Sequence, residues 1–147
     1  MLTVSLLVCA LIALARADGD LIMMTQYHTI THNSLEFGGR CFHYVSVQMT
    51  WAEAEKNCQA MKAHLASVNN AEDNENIQKV IRAASLNATR TWIGGTDCQM
   101  NDLWLWSDGS HFLFSAWKPG QPDNWERGKW NDVKCSAQRP SLCALTL

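Results

Sequence analysis

Apolar and polar positions alternate from Phe42 to Val47, the two-residue period of a strand that turns one face to a core. The pattern changes at Thr50-Trp51-Ala52-Glu53, a capping box: the Thr50 side chain accepts from the Glu53 backbone N–H while the Glu53 side chain reaches back. Trp51, Ala54, Cys58, Met61 and Leu65 then recur at helical intervals, which predicts a helix starting at Trp51 with Cys58 on its buried face. Asn69-Asn70 ahead of Glu72, Asp73 and Glu75 predicts a second helix with an apolar stripe of Ile77, Val80, Ile81 and Ala84. That acidic cluster also admits a calcium reading, but a solvated helix start accounts for it more simply. Thr91–Gly94, Leu103–Trp106 and His111–Phe114 are short aromatic or β-branched runs, the last two joined by a turn at Ser107-Asp108-Gly109-Ser110. Helices followed by antiparallel strands make this an α+β domain.

The amino-terminal pattern is different. Leu2–Leu14 carries no charge and is followed by Ala15-Arg16-Ala17, the signature of a secretory signal peptide over residues 1–17, too short to span a bilayer. Residues 18–38 have no sustained period and are expected to form an irregular, partly disordered arm ahead of one domain at 39–147. His28 and His32 stand four apart, but the β-branched run Thr29-Ile30-Thr31 disfavours the helix a zinc pair needs. Cutting after Ala17 leaves 130 residues with 11 basic and 14 acidic side chains, scattered rather than clustered. Neither a nucleic-acid footprint nor a membrane-inserting segment is expected, and the protein reads as secreted.

Five cysteines remain in the mature chain, Cys41, Cys58, Cys98, Cys135 and Cys143. An extracellular compartment implies disulfides, and an odd number leaves at least one free or bridging two chains, which offers a covalent route to a homo-oligomer. Asn87-Ala88-Thr89 is an N-glycosylation sequon. G-x-S-x-G, H-E-x-x-H and a phosphate-cradling glycine loop are all missing, so a non-enzyme is expected.

From Gly39 to Leu147 the sequence resembles the C-type lectin-like domains, and in its narrower features the soluble, ladderlectin-like fish lectins and the related type II antifreeze proteins. Arg40-Cys41-Phe42-His43-Tyr44, Met49–Ala54 with Cys58, and His64–Val68 look like that fold's opening strand, first helix and following strand. Trp92-Ile93-Gly94-Gly95 stands at the family's core motif, Trp104–Gly109 at its hairpin, and Trp130-Asn131-Asp132 with Cys135 and Cys143 at its closing strands. The resemblance implies two helices packed on short antiparallel strands, stabilised by a Cys58–Cys143 disulfide. It also implies a partner for Cys41 in an N-terminal hairpin, where the residues near Ile30 offer none. Cys135 ordinarily pairs on a strand that Glu126-Arg127-Gly128-Lys129 replaces, so the long-loop region is shortened. A Cys98–Cys135 bond and an intermolecular bridge both stay open.

Gln121-Pro122-Asp123, followed by Asn124-Trp125, resembles the Gln-Pro-Asp motif of galactose-type lectins, whereas relatives with Glu-Pro-Asn favour mannose. By that resemblance Gln121, Asp123, Asn131 and Asp132 offer oxygens to a Ca2+ ion, which takes six to eight. Glu126 is the candidate replacement for the acidic ligand of the missing strand. Gln121, Asp123, Asn131 and Asp132 would also meet sugar hydroxyls, and Trp125 would stack on the apolar face of galactose. Each motif alone is an ordinary turn sequence; their joint occurrence in order carries the reading. Trp51, Trp92, Trp104 and Trp106 fit core or hairpin positions, and Trp117 and Trp130 fit supports of the loop. The expected function is therefore a calcium-dependent lectin for galactose-type glycans, acting in innate recognition. The alternatives are a calcium-independent binding protein on the same fold, for ice or for a protein, and a shortened form without sugar binding.

Overall fold

The computed structural model describes residues 7–17, 20–30, 34–85, 89–117 and 130–146, with side chains from Ser34 onward. In chain order the elements are β1 (Leu7–Ala17), β2 (Asp20–Ile30), β3 (Ser34–Phe37), β4 (Arg40–Met49), α1 (Trp51–Ala60), β5 (His64–Leu65), α2 (Ala71–Ala84), β6 (Gly95–Thr96), β7 (Leu105–Trp106) and β8 (Arg139–Thr146). The central sheet has the antiparallel order β3-β4-β8-β5.

Alternation along β4 and β8 decides what each face of this sheet buries. Phe42, Tyr44 and Leu142 point to one side, where Ile77 and Val80 of α2 meet them with Val68 and Trp106. Cys143 points to the other side, with Ala54 and Cys58 of α1, Leu65 and Trp92. The sheet is thus held between the two helices, and the Cys58–Cys143 disulfide crosses its α1 face, joining residues 85 apart in sequence. In the chain-entropy model a loop of that length is worth about 4.5 kcal/mol.

Both predicted helices form where their caps place them. Thr50 N–H donates to Glu53 Oε2 at 2.9 Å and Glu53 N–H to Thr50 Oγ1 at 3.4 Å, so the capping box is closed. Asp73 N–H donates to Asn70 Oδ1 at 2.9 Å at the start of α2. Asp73 itself accepts from Asn69 N–H and pairs with Arg40 Nη1 at 3.2 Å, which gives it a structural role.

Three expectations are corrected. In the uncleaved chain the arm read as irregular is extended: β2 pairs antiparallel with β1, the stretch read as the signal peptide, and β3 pairs with β4. β-Branched Thr25, Thr29 and Ile30 suit that ladder, whose pairing across the chain leaves no period within the arm itself. The hairpin of Leu103–Trp106 with His111–Phe114 does not form; β7 pairs with β6 instead. Leu113 N–H bonds back to His111 O at 3.0 Å, and Phe112 stacks on Trp106 at 4.7 Å, so local closure and ring packing replace the ladder. Cys41, expected to lack its partner, is disulfide-bonded. Among the described residues no helix is long and apolar enough to cross a membrane.

Candidate functional site

The candidate loop is closed at its base by two tryptophans. Trp117 and Trp130 form a parallel bridge, and Trp130 N–H donates to Ala116 O at 3.0 Å. Trp130 lies edge-on to Trp106 at 5.4 Å, to Trp117 at 5.5 Å, to Phe112 at 5.9 Å and to Phe114 at 6.0 Å. These are the T-shaped geometries that aromatic quadrupoles favour. Its indole Nε1–H donates to Asn74 Oδ1 on α2 at 3.1 Å, which ties the base of the loop to the helix. Trp117 and Trp130 are the expected supports. Trp92 and Trp106 are buried, as core positions require.

Asn131 follows directly. Its Oδ1 is buried and accepts no hydrogen bond among the described residues. An amide oxygen buried without a partner costs about 1–3 kcal/mol. Asp132 beside it is exposed. Gln121, Asp123, Trp125 and Glu126 lie outside the described residues, as does Asn87. Among the described residues no three His, Cys, Asp or Glu side chains converge as a metal site.

The core motif holds the other side of the region. Trp92 Nε1–H donates to Met49 O and Trp51 Nε1–H to Ile93 O, each at 3.0 Å, and Gly94 N–H donates to Ala66 O at 2.9 Å. A Cβ on Gly94 would sit 2.7 Å from Leu65 O, so this close backbone approach requires glycine. An open cavity of about 340 Å³ borders the loop base, lined by Asp102, Trp104, Phe112, Phe114 and Trp117 among others.

Two polar networks brace this frame. The Ser67 hydroxyl donates to Asp108, while Arg40 Nη2 donates to Ser67 Oγ at 3.1 Å. Burial raises the Asp108 pKa, but hydrogen bonds from Ser110 and Ser67 with the Arg40 charge prevail and hold it below the usual range. Glu55 is buried under the sheet and accepts from Leu65 N–H at 2.9 Å and from Gln59 Nε2 at 2.9 Å, with His64 Nδ1 at 2.6 Å. Burial pushes its pKa up, yet these donors outweigh burial and leave it lowered.

Sequence reasoning missed Asn74, Glu55 and the Ser67–Asp108 pair. Nothing in their local pattern marks them, because each acts on a residue at least ten positions away or on another element. Cys98 and Cys135 are exposed thiols with sulfurs 3.0 Å apart, and the Cys98 sulfur beside it is the leading cause that pushes the Cys135 thiol up to about 11.

Two helices around an antiparallel sheet, the α1–β8 disulfide and the aromatic loop base together define a C-type lectin-like fold. The lectin C-type domain model matches residues 47–145, and the chain belongs to that family. It is 36% identical to a type-2 ice-structuring protein of Hemitripterus americanus, over 99% of both chains. Ladderlectin of Oncorhynchus mykiss is 31% identical, covering 96% of this chain and 91% of its own. The galactose-specific lectin nattectin of Thalassophryne nattereri is 38% identical over 75% of this chain and 76% of its own. Among solved structures, herring type II antifreeze protein superposes with a TM-score of 0.71 at 33% identity, over 79% of this chain and 98% of that one.

Proposed function

We propose that the chain, after losing residues 1–17, is a secreted lectin that binds galactose-type glycans through a Ca2+ ion at the loop 121–132. The observation that carries this reading is the Oδ1 of Asn131, buried and unpaired among the described residues. It sits at the foot of a loop whose Gln121, Asp123, Glu126 and Asp132 supply only oxygen donors, the donor set calcium takes. These residues fit the ion, and Glu126 would restore the anionic ligand that the shortened loop lacks. The bound ion would supply a point of coordination for two sugar hydroxyls.

The chain's own residues supply orientation. Carboxylates accept from hydroxyls and amide N–H groups donate to them, so the order Gln121 then Asp123 selects hydroxyl geometry. Trp125 offers its ring to the apolar face of the sugar, worth about 1 kcal/mol. Trp130, locked by Asn74 and its ring neighbours, keeps the foot of the loop from moving. The similarity to a lectin named for galactose specificity supports the sugar class. On this reading the protein binds and does not catalyse, with glycan recognition in innate defence as its role and Asn87 as a glycan attachment site.

A calcium-independent, ice-binding reading is favoured by one observation, the likeness to an ice-structuring protein across 99% of both chains. Passage of the purified protein over galactose resin in calcium separates the two. Retention released by chelator and by galactose, but not by mannose, is the expected result. Flow-through of folded protein that shows thermal hysteresis would overturn the sugar reading in favour of ice.

A further inference from the structure

We infer that Cys98 and Cys135 form an intrachain disulfide that closes a covalent ring around the whole candidate loop. Their sulfurs lie 3.0 Å apart, about 1 Å beyond a covalent S–S bond. The carriers of both are fixed independently. Cys98 follows β6, where its N–H donates to Thr96 Oγ1 at 3.3 Å and the next turn closes through Met100 N–H to Asp97 O. The Cys135 carbonyl accepts Trp51 N–H at 3.0 Å, which docks it on the start of α1, and Ala137 N–H to Lys134 O closes the turn around it. The sulfur contact therefore follows from two anchored backbones. Cys58 and Cys143 are consumed by their own bond and Cys41 is buried within β4, so each exposed thiol has the other as its neighbour.

The oxidant is a low-molecular-weight or protein disulfide of the secretory route. One thiolate attacks that disulfide, giving a mixed disulfide and releasing one thiol. The second thiolate then attacks the protein-side sulfur and releases the other. The protein gives up two electrons and two protons, and the oxidant leaves as two thiols. The closed ring contains Gln121, Asp123, Trp125, Glu126, Asn131 and Asp132. A cross-link of this span lowers the entropy that the enclosed segment can lose on gripping a ligand. This last consequence rests on the proposed lectin function; the bond itself needs only the proposed secretion.

Peptide mapping of the purified secreted protein tests it, with iodoacetamide added under denaturing conditions without reductant. Trypsin cuts after Lys134 and chymotrypsin after Leu142, which separates Cys135 from Cys143. The expected product is a linked peptide that reduction splits into fragments bearing Cys98 and Cys135, from protein that runs as a monomer on a non-reducing gel. Alkylation of either sulfur, or the link found only in a disulfide-bonded dimer, overturns the inference. In Cys98→Ser, Cys135 should gain one full equivalent of label while the Cys58–Cys143 peptide persists; a Cys135 that stays unlabelled also overturns it. The map reads the bond whether or not the protein is retained on galactose, so the two readings fail separately.

Discussion

Asn131→Leu separates a calcium ligand from a structural asparagine. In chelator the Oδ1 of Asn131, buried without a partner among the described residues, carries a penalty of about 1–3 kcal/mol that an apolar side chain of similar shape removes. The variant in chelator is therefore expected to be at least as stable as the wild type. Calcium reverses the order. A ligand present at 100 times its dissociation constant stabilises the binding-competent fold by about 2.7 kcal/mol, and on the proposed reading only the wild type keeps the full ligand set. Urea denaturation of both proteins, each in calcium and in chelator, reads the four stabilities from their midpoints and slopes. The reasoning is refuted if calcium shifts both proteins equally, or if the variant in chelator is less stable than the wild type by about 1 kcal/mol or more.

Two further expectations concern the frame. Glu55→Gln disturbs a buried carboxylate that three donors hold, and charge-assisted bonds of this kind are worth about 1.5–3 kcal/mol, so a loss of about 2 kcal/mol is expected at pH 7. Because the folded pKa of Glu55 is lowered, its stabilisation is complete above the ordinary carboxylate value of about 4.3 and fades as pH falls through the folded value. Wild type and variant should thus converge in acid, and an unchanging gap from pH 7 to pH 3 would contradict this account. Gly94→Ala places a Cβ 2.7 Å from Leu65 O and 2.8 Å from Ser107 Oγ, which should cost about 1–3 kcal/mol. Gly109→Ala meets no atom within 4 Å and carries only the strain of φ +80°, so a urea midpoint for Gly94→Ala equal to that of Gly109→Ala would count against the close approach.

The capped helices and the strand at Phe42–Val47 were legible because their signals are local. A cap spans four residues, and amphipathic periods repeat within one element. The α1–β8 disulfide could be assigned from the family pattern, and the positions of Trp117 and Trp130 as loop supports from where they flank the motif. Pairing across the chain was not legible in the same way. The partner of β7 is β6 rather than His111–Phe114, where Phe112 stacks on Trp106 in place of a ladder. The arm was opaque for a related reason, since β2 finds its complement in β1 and neither strand carries a telling period alone.

The sequence by itself marked the two helices and the strand at Phe42–Val47, whose signals lie within one segment, and its resemblance to the C-type lectin-like domains pointed to the family and to Gln121, Asp123, Trp125, Glu126, Asn131 and Asp132 as candidate ligands. Only the tertiary structure decided that Asn74 holds Trp130, that Glu55 satisfies Leu65, that the Asn131 oxygen is buried without a partner among the described residues, and that Cys98 meets Cys135. Those four facts depend on groups brought together from different elements. A hydrogen bond, an unmet acceptor and a sulfur contact all act within about 3–4 Å, a distance at which position along the chain carries no information.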